Sequence, residues 1–167
     1  MKTIRSIKMS DDRKTVLIEN AHIIFPNFAG RESQYNQAGA RNFCVLLDPE
    51  LANDMAEDGW NVKSLKPRDE DDVEQAYIQV SAKYDKGQPP RIVLISSQGR
   101  TDIGEHEVEM LDWVEMSNID LIFRAYPWSV NGKSGLKAYL KSAFITLEED
   151  ALESKYSQIN NAPVVSN

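Results

Sequence analysis

The sequence predicts a mainly β protein, folded as one small closed or partly closed barrel. Three observations predict it. Several short runs are rich in β-branched and aromatic residues, turn signals separate these runs, and only one early segment has clear helix grammar. Five to seven strands are expected, with one helix between early strands.

Residues 1–14 are polar and charged and read as a loose N-terminal arm. Residues 16–25 (VLIENAHIIF) carry strand composition and stop at Pro26. Residues 26–41 contain Pro26, Gly30 and Gly39 with little periodicity, so they form a long loop. Loops of that length are commonly functional or disordered. Residues 42–47 (NFCVLL) are a second strand. Asp48 can then cap a helix that has Pro49 at its first position and Glu50 in its first turn. Leu51, Ala52 and Met55 share one face of that helix, and Gly59 ends it. Residues 60–65 suggest a short strand, and residues 66–74 a charged, solvated turn. Two more strands are expected at residues 77–84 and 91–96, around the turn signal of residues 85–90 (DKGQPP). Residues 105–114 fit neither period and are read as a short helix or irregular segment. Residues 119–130 and 136–147 are long β-rich runs around residues 131–135, and residues 148–153 start a short acidic helix. The expected organisation is a flexible arm over residues 1–14, one domain over 15–158 and a disordered tail over 159–167.

Composition removes several function classes. The chain has 167 residues, a formal net charge of −7 and one cysteine, Cys44. An intramolecular disulfide is impossible, and no apolar run approaches the roughly 18 residues a membrane helix needs. With no apolar leader at the start, the expectation is a cytoplasmic protein. The charge is polarised. Residues 48–75 hold ten acids against Lys63, Lys66 and Arg68, whereas residues 119–147 hold Arg124, Lys133, Lys137 and Lys141 against Asp120.

Gly132-Lys133-Ser134 resembles the end of a phosphate-binding loop, but the reading fails. Such a loop needs glycine five residues before its second glycine, and that position is Pro127, which lacks an amide hydrogen. The residues after Ser134 have strand rather than helix composition. Asn131-Gly132 is instead a hairpin signal, because both residues tolerate positive φ. Metal ligation is unsupported: His22, His106 and Cys44 are scattered, and residues 69–72 (DEDD) read as a solvated run. No nucleophile signature, cofactor or metal site is expected, so the chain reads as a non-enzyme.

The hairpin strands carry the functional reading. Arg124, Tyr126 and Trp128 share one strand face, as do Lys137, Tyr139 and Lys141 on the next strand. An even connection places both sets on one face of the ribbon; an odd one separates them. The even connection is expected. Cations interleaved with rings suit single-stranded nucleic acid, where phosphates meet Lys and Arg and unpaired bases stack on aromatics. Half-buried packing is the competing role for such rings. The long loop adds Phe28, Arg31, Tyr35 and Arg41, able to close over a strand laid on the barrel.

Residues 24–30 (IFPNFAG), Tyr35-Asn36, residues 41–43 (RNF), 59–63 (GWNVK) and 130–140 (VNGKSGLKAYL) resemble bacteriophage-encoded single-stranded DNA-binding proteins. The resemblance spans roughly residues 16–150. It implies an OB-fold-like five-stranded barrel with an extended hairpin, one inserted helix and a short C-terminal helix. It also implies a protein that coats exposed DNA in phage replication and recombination, inside the infected cell, alongside replication or recombination proteins. The contacts it implies are Phe28, Arg31, Tyr35 and Arg41 in the loop, Trp60 and Lys63 after the helix, and Lys133, Lys137 and Tyr139 in the hairpin. One departure is the neutral end, residues 163–167 (PVVSN), where many such proteins end acidic and aromatic; residues 148–153 are the acidic substitute. The pattern leaves monomer and dimer open. A second reading, carried by the charge of −7, is an acidic phage factor that occupies a host DNA-binding surface. A third is a metal-dependent nuclease.

Overall fold

The computed structural model describes residues 5–10, 13–66 and 74–149. Their elements, in order, are β1 (Arg5–Ser10), β2 (Arg13–Ile18), β3 (Ile23–Asn27), β4 (Asn42–Leu47), α1 (Pro49–Glu57), β5 (Val62–Leu65), β6 (Gln75–Ser81), β7 (Arg91–Ser96), β8 (Gly99–Ile103), a 3-10 turn (Val108–Asp112), β9 (Met116–Val130) and β10 (Lys133–Leu147).

The ladders run β1-β2-β9-β10-β6-β4-β3, so β2, one strand in from one end of the path, and β3, at the other end, are neighbours in the chain. The sheet itself does not close, because no ladder joins β3 to β2. The chain itself bridges the gap between them. Asn20 takes φ of +51°, and its N–H donates to Asp120 Oδ1 at 2.9 Å. The chain bends there, and Ala21 N–H still reaches the Ile119 carbonyl at 2.8 Å. One bent strand therefore serves β9 with its first half and β4 with its second. Five strand positions enclose the core, and β6 and β10 meet in parallel where Ala138 faces Val80. This is the partly open OB-like barrel the resemblance implied.

Alternation builds the interior. Phe43, Val45 and Leu47 of β4, Ile78 and Val80 of β6, and Leu121 and Phe123 of β9 are all buried. In β10 both Leu140 and Ala143 point inward, which strict alternation forbids. A bulge at Lys141 permits it: Leu140 faces Phe123, Ser142 faces Ile122, and Lys141 is the extra residue. The α1 grammar is realised, with Asp48 accepting from Leu51 N–H at 2.8 Å and Leu51, Ala52 and Met55 buried. Gly59, at φ of +99°, turns the chain so that Trp60 enters the core and meets the Phe123 ring edge-on at 5.7 Å.

Several expectations change. Residues 5–10 form β1 against β2 rather than part of a loose arm. Ile7 and Met9 alternate with Ser6 and Lys8, a period-two signal masked by the segment's charge. The run over residues 16–25 is two strands, broken at Asn20. Strand β8 was not expected; its polar GRTDI is largely exposed and is held by pairing with β7. The irregular segment contains a 3-10 turn over Val108–Asp112. The C-terminal helix and most of the charged turn at 66–74 lie outside the described residues.

The long loop between β3 and β4 is built by polar contacts. Asn36 Nδ2 donates to the carbonyls of Arg31, Gln37 and Ala40 at 2.8–3.1 Å. Gly39 N–H bonds the Gly30 carbonyl at 2.8 Å, and a Cβ on Gly30 would come within 3.0 Å of the Gly39 backbone. Asp112, its side chain 2% exposed, accepts from Phe28 N–H at 2.7 Å and Ala29 N–H at 3.0 Å. Replacing Asp112 with Ala leaves both amides without that acceptor. Urea unfolding should then show a loss of about 2–4 kcal/mol, with amide exchange accelerated first over residues 28–41.

Candidate nucleic-acid interface

The turn between β9 and β10 consists of Asn131 and Gly132, with φ of +51° and +80°. Two loop residues make an even connection, so Val130 faces Lys133 and the register runs on: Trp128 faces Gly135, Tyr126 faces Lys137 and Arg124 faces Tyr139. The residues between them, Phe123, Ala125, Ala138 and Leu140, are buried. Arg124, Tyr126, Trp128, Lys137 and Tyr139 therefore share the outer face. Lys133 lies on the exposed tip. Lys141 is exposed too, but the bulge removes it from the paired rank.

Two rings on this face stack. Tyr126 and Tyr139 have centroids 4.5 Å apart and planes 15° apart. Tyr139 is nearly covered, at 6% exposure, whereas Tyr126 is 42% exposed. Tyr126 thus carries one protected ring face and one available to water. Around the pair, Lys86, Gly87, Gln88, Arg124 and Pro127 line a trough. Arg124 donates to Gln88 Oε1 at 3.3 Å and to the Gln88 carbonyl at 3.4 Å, fixing the loop that forms the trough wall. Lys83 Nζ sits 6.0 Å from the Tyr139 centroid.

Trp128 is half-buried. Its Nε1–H donates to Asn61 Oδ1 at 3.2 Å, and its indole lies over Gly135, where a Cβ would come within 2.8 Å of both Nε1 and Asn61 Oδ1. A glycine is required there by close approach. Below it, Asn61, Lys63, Gln79, Ser81 and Lys137 line a second hollow. A third hollow lies under the long loop, bounded by residues 37–41 and 82–85 with Glu105. Ser81 pairs with Tyr139, and Lys83, two residues on, borders the third hollow, so the three adjoin along β6 and its extension.

The other loop candidates divide. Tyr35 is 88% exposed at the loop tip. Arg31 is exposed, 3.5 Å from Asp112 and 5.5 Å from the Trp113 centroid. Arg41 is half-buried; it donates to the Phe28 carbonyl at 2.6 Å and lies 3.8 Å from Glu105. Two expected contacts are core residues instead. Phe28 is 1% exposed and stacks on Phe43 at 5.0 Å; Trp60 is 4% exposed against Phe123. Each follows a bend that swings its ring inward, so neither ring offers a face to a base. Sequence reasoning missed Lys83, Lys86, Gln88 and Asn61. The sequence of residues 85–90 signals only a turn, and the alternation that puts Lys83 outside continues past the end of β6.

Burial beneath Tyr126 raises the Tyr139 phenol above its ordinary pKa; Tyr126 and Asp85 add to the rise and Arg124 opposes it. A raised acid pKa favours the neutral ring in the fold. Its contribution to stability is therefore full below the unfolded value and is lost as pH rises through the folded one. The Tyr139→Phe variant should lose less stability than the parent in alkaline thermal scans. Phenolate absorbance should show one fewer late-titrating tyrosine.

A comparison with curated proteins yields no match. Among solved structures, the single-stranded DNA-binding protein of bacteriophage Enc34 in complex with ssDNA superposes with a TM-score of 0.53 at 8% identity, covering 89% of this chain and 97% of that one. Its C-terminal truncation gives 0.51 at 9% identity, with the same coverage. At that identity the likeness concerns the fold. The family model described as "Putative phage ssDNA-binding domain" matches residues 6–165. An OB-like barrel with cations and stacked rings on one outer face, matched over nearly its whole length by this model, belongs to the phage ssDNA-binding domain family.

Proposed function

We propose that the chain binds and coats unpaired DNA without strong sequence preference, on the outer face of β5, β6, β9 and β10. The observation that carries the reading is the Tyr126–Tyr139 stack, half open to water and lying between Lys137, Lys83 and Arg124. A base laid on the free face of Tyr126 extends a stack already two rings deep. Stacking of this kind tolerates any base, because every base has a π-face. A duplex keeps its base faces covered and gains nothing from the ring.

The cations divide by position. Lys137, directly across from Tyr126, and Lys133 at the tip suit the phosphates beside the stacked base. Lys63 and Lys141 extend the positive rim, Trp128 flanks the trough with its indole edge anchored, and Arg31, Tyr35 and Arg41 extend it from the long loop. Phe28 and Trp60 support the surface from beneath. The role is binding rather than catalysis, in phage replication or recombination within the infected bacterial cytoplasm. Among the described residues no helix is long and apolar enough to cross a membrane.

With a net charge of −7, attraction to DNA comes from this local rim and not from the protein as a whole. Fluorescence titration should show tighter binding to oligo-dT than to duplex of equal length, weakening as salt rises through counterion release. The Tyr126→Ala variant should lose about 1–3 kcal/mol of binding free energy, and Lys137→Ala should flatten the salt dependence. Unchanged affinity in Tyr126→Ala would place the DNA elsewhere.

A further inference from the structure

Phe25 is out of place by two measures. It sits in a bulge of β3: Ile24 faces Cys44 and Asn27 faces Asn42, leaving Phe25 and Pro26 without ladder partners. Its φ is +51°, a left-handed conformation that is an outlier for a bulky residue. The following Pro26 disfavours helical backbone at Phe25 still further. This strained conformation does not bury the ring, because Phe25 is 60% exposed. A large apolar side chain held outward by unfavourable backbone is not a packing solution. Strain of this kind concentrates at functional sites.

The surroundings indicate what the ring meets. Phe25 lies edge-to-face with Tyr77, centroids 6.4 Å apart and planes 81° apart. Tyr77 is on the outer side of β6, since Ile78 and Val80 point into the core. It faces Lys63 of β5. Gln79, two residues along, lines the hollow shared by Lys63, Asn61 and Lys137. Two residues further, Ser81 faces Tyr139 at the foot of the trough. Tyr77 and Ser81 are separated by four strand residues, roughly 13 Å.

We propose that Phe25 and Tyr77 form a second stacking platform for unpaired bases, with Lys63 beside it for a phosphate, and that one DNA strand runs between this platform and the Tyr126 trough along β6. The inference rests on the proposed DNA-binding face and extends it to the opposite end of that face. The bulge is then a device for presenting a ring: it turns Phe25 out of the core and onto the path.

The test uses the full chain, oligo-dT of about 4 and about 16 nucleotides, and four proteins: the parent, Phe25→Gly, Phe25→Tyr and Tyr126→Ala. Glycine removes the ring and accepts positive φ, so Phe25→Gly should melt no lower than the parent. It should bind the longer oligonucleotide roughly 5- to 100-fold more weakly. Phe25→Tyr keeps a stacking ring and should bind like the parent. With the shorter oligonucleotide, Tyr126→Ala should be weakened more than Phe25→Gly. Parental affinity of Phe25→Gly for the longer oligonucleotide would overturn the platform while leaving the trough intact, and so would equal weakening of Phe25→Gly and Phe25→Tyr. Failure of the parent to bind oligo-dT at all would overturn the DNA-binding reading itself.

Discussion

A two-residue turn sets everything on the outer face. Asn131 and Gly132 both take positive φ, and the loop length they allow fixes which residues of two fifteen-residue strands stand opposite each other. A slip of one residue in β10 would separate the two sets: Lys137 and Tyr139 would turn toward the core and Ala138 and Leu140 toward water, while Tyr126 stayed outside. The hydrophobic interior and the cationic, aromatic exterior are thus two consequences of one register. The interior holds that register in place, since Leu121, Phe123, Leu140 and Ile145 are all almost fully buried.

The bulge at Lys141 shows how far the constraint reaches. Beyond it β10 leaves β6 and pairs with β7, again in parallel. The extra residue restores inward packing for Ala143 and Ile145 at this handover. A long hairpin can therefore serve two sheet neighbours in succession while its first half keeps a continuous outer face. Rings on that face are supported as well as displayed. Tyr139 rests under Tyr126, and Trp128 is held by Asn61 over a glycine that must stay bare. On the proposed reading, pre-positioned rings lose little conformational freedom when a base arrives, which would let a protein with a net charge of −7 bind a polyanion through a local surface.

Much of this was legible in the sequence. The Asn131-Gly132 turn, the even connection, the α1 cap and the outer set of Arg124, Tyr126, Lys137 and Tyr139 follow from local chemistry and period-two alternation. The illegible parts depended on distant partners. Phe28 looks like a loop residue until Asp112, 84 positions away, binds its amide and the ring docks on Phe43. Trp60 reads as a surface residue beside Lys63, yet Gly59 turns it inward onto Phe123. Strand β8 is polar and is recognisable only by its pairing. Phe25 was hidden in an apparently ordinary apolar run, because strand composition gives no sign of a positive φ.

The central claim is that the open face of Tyr126 receives an unpaired base. Selective 13C labelling of tyrosine rings, followed by NMR during titration with oligo-dT, tests it most directly. The account predicts that the Tyr126 ring signals move furthest and saturate with binding, with Tyr139 following through the shared stack. Binding of the oligonucleotide with both rings unmoved would contradict it.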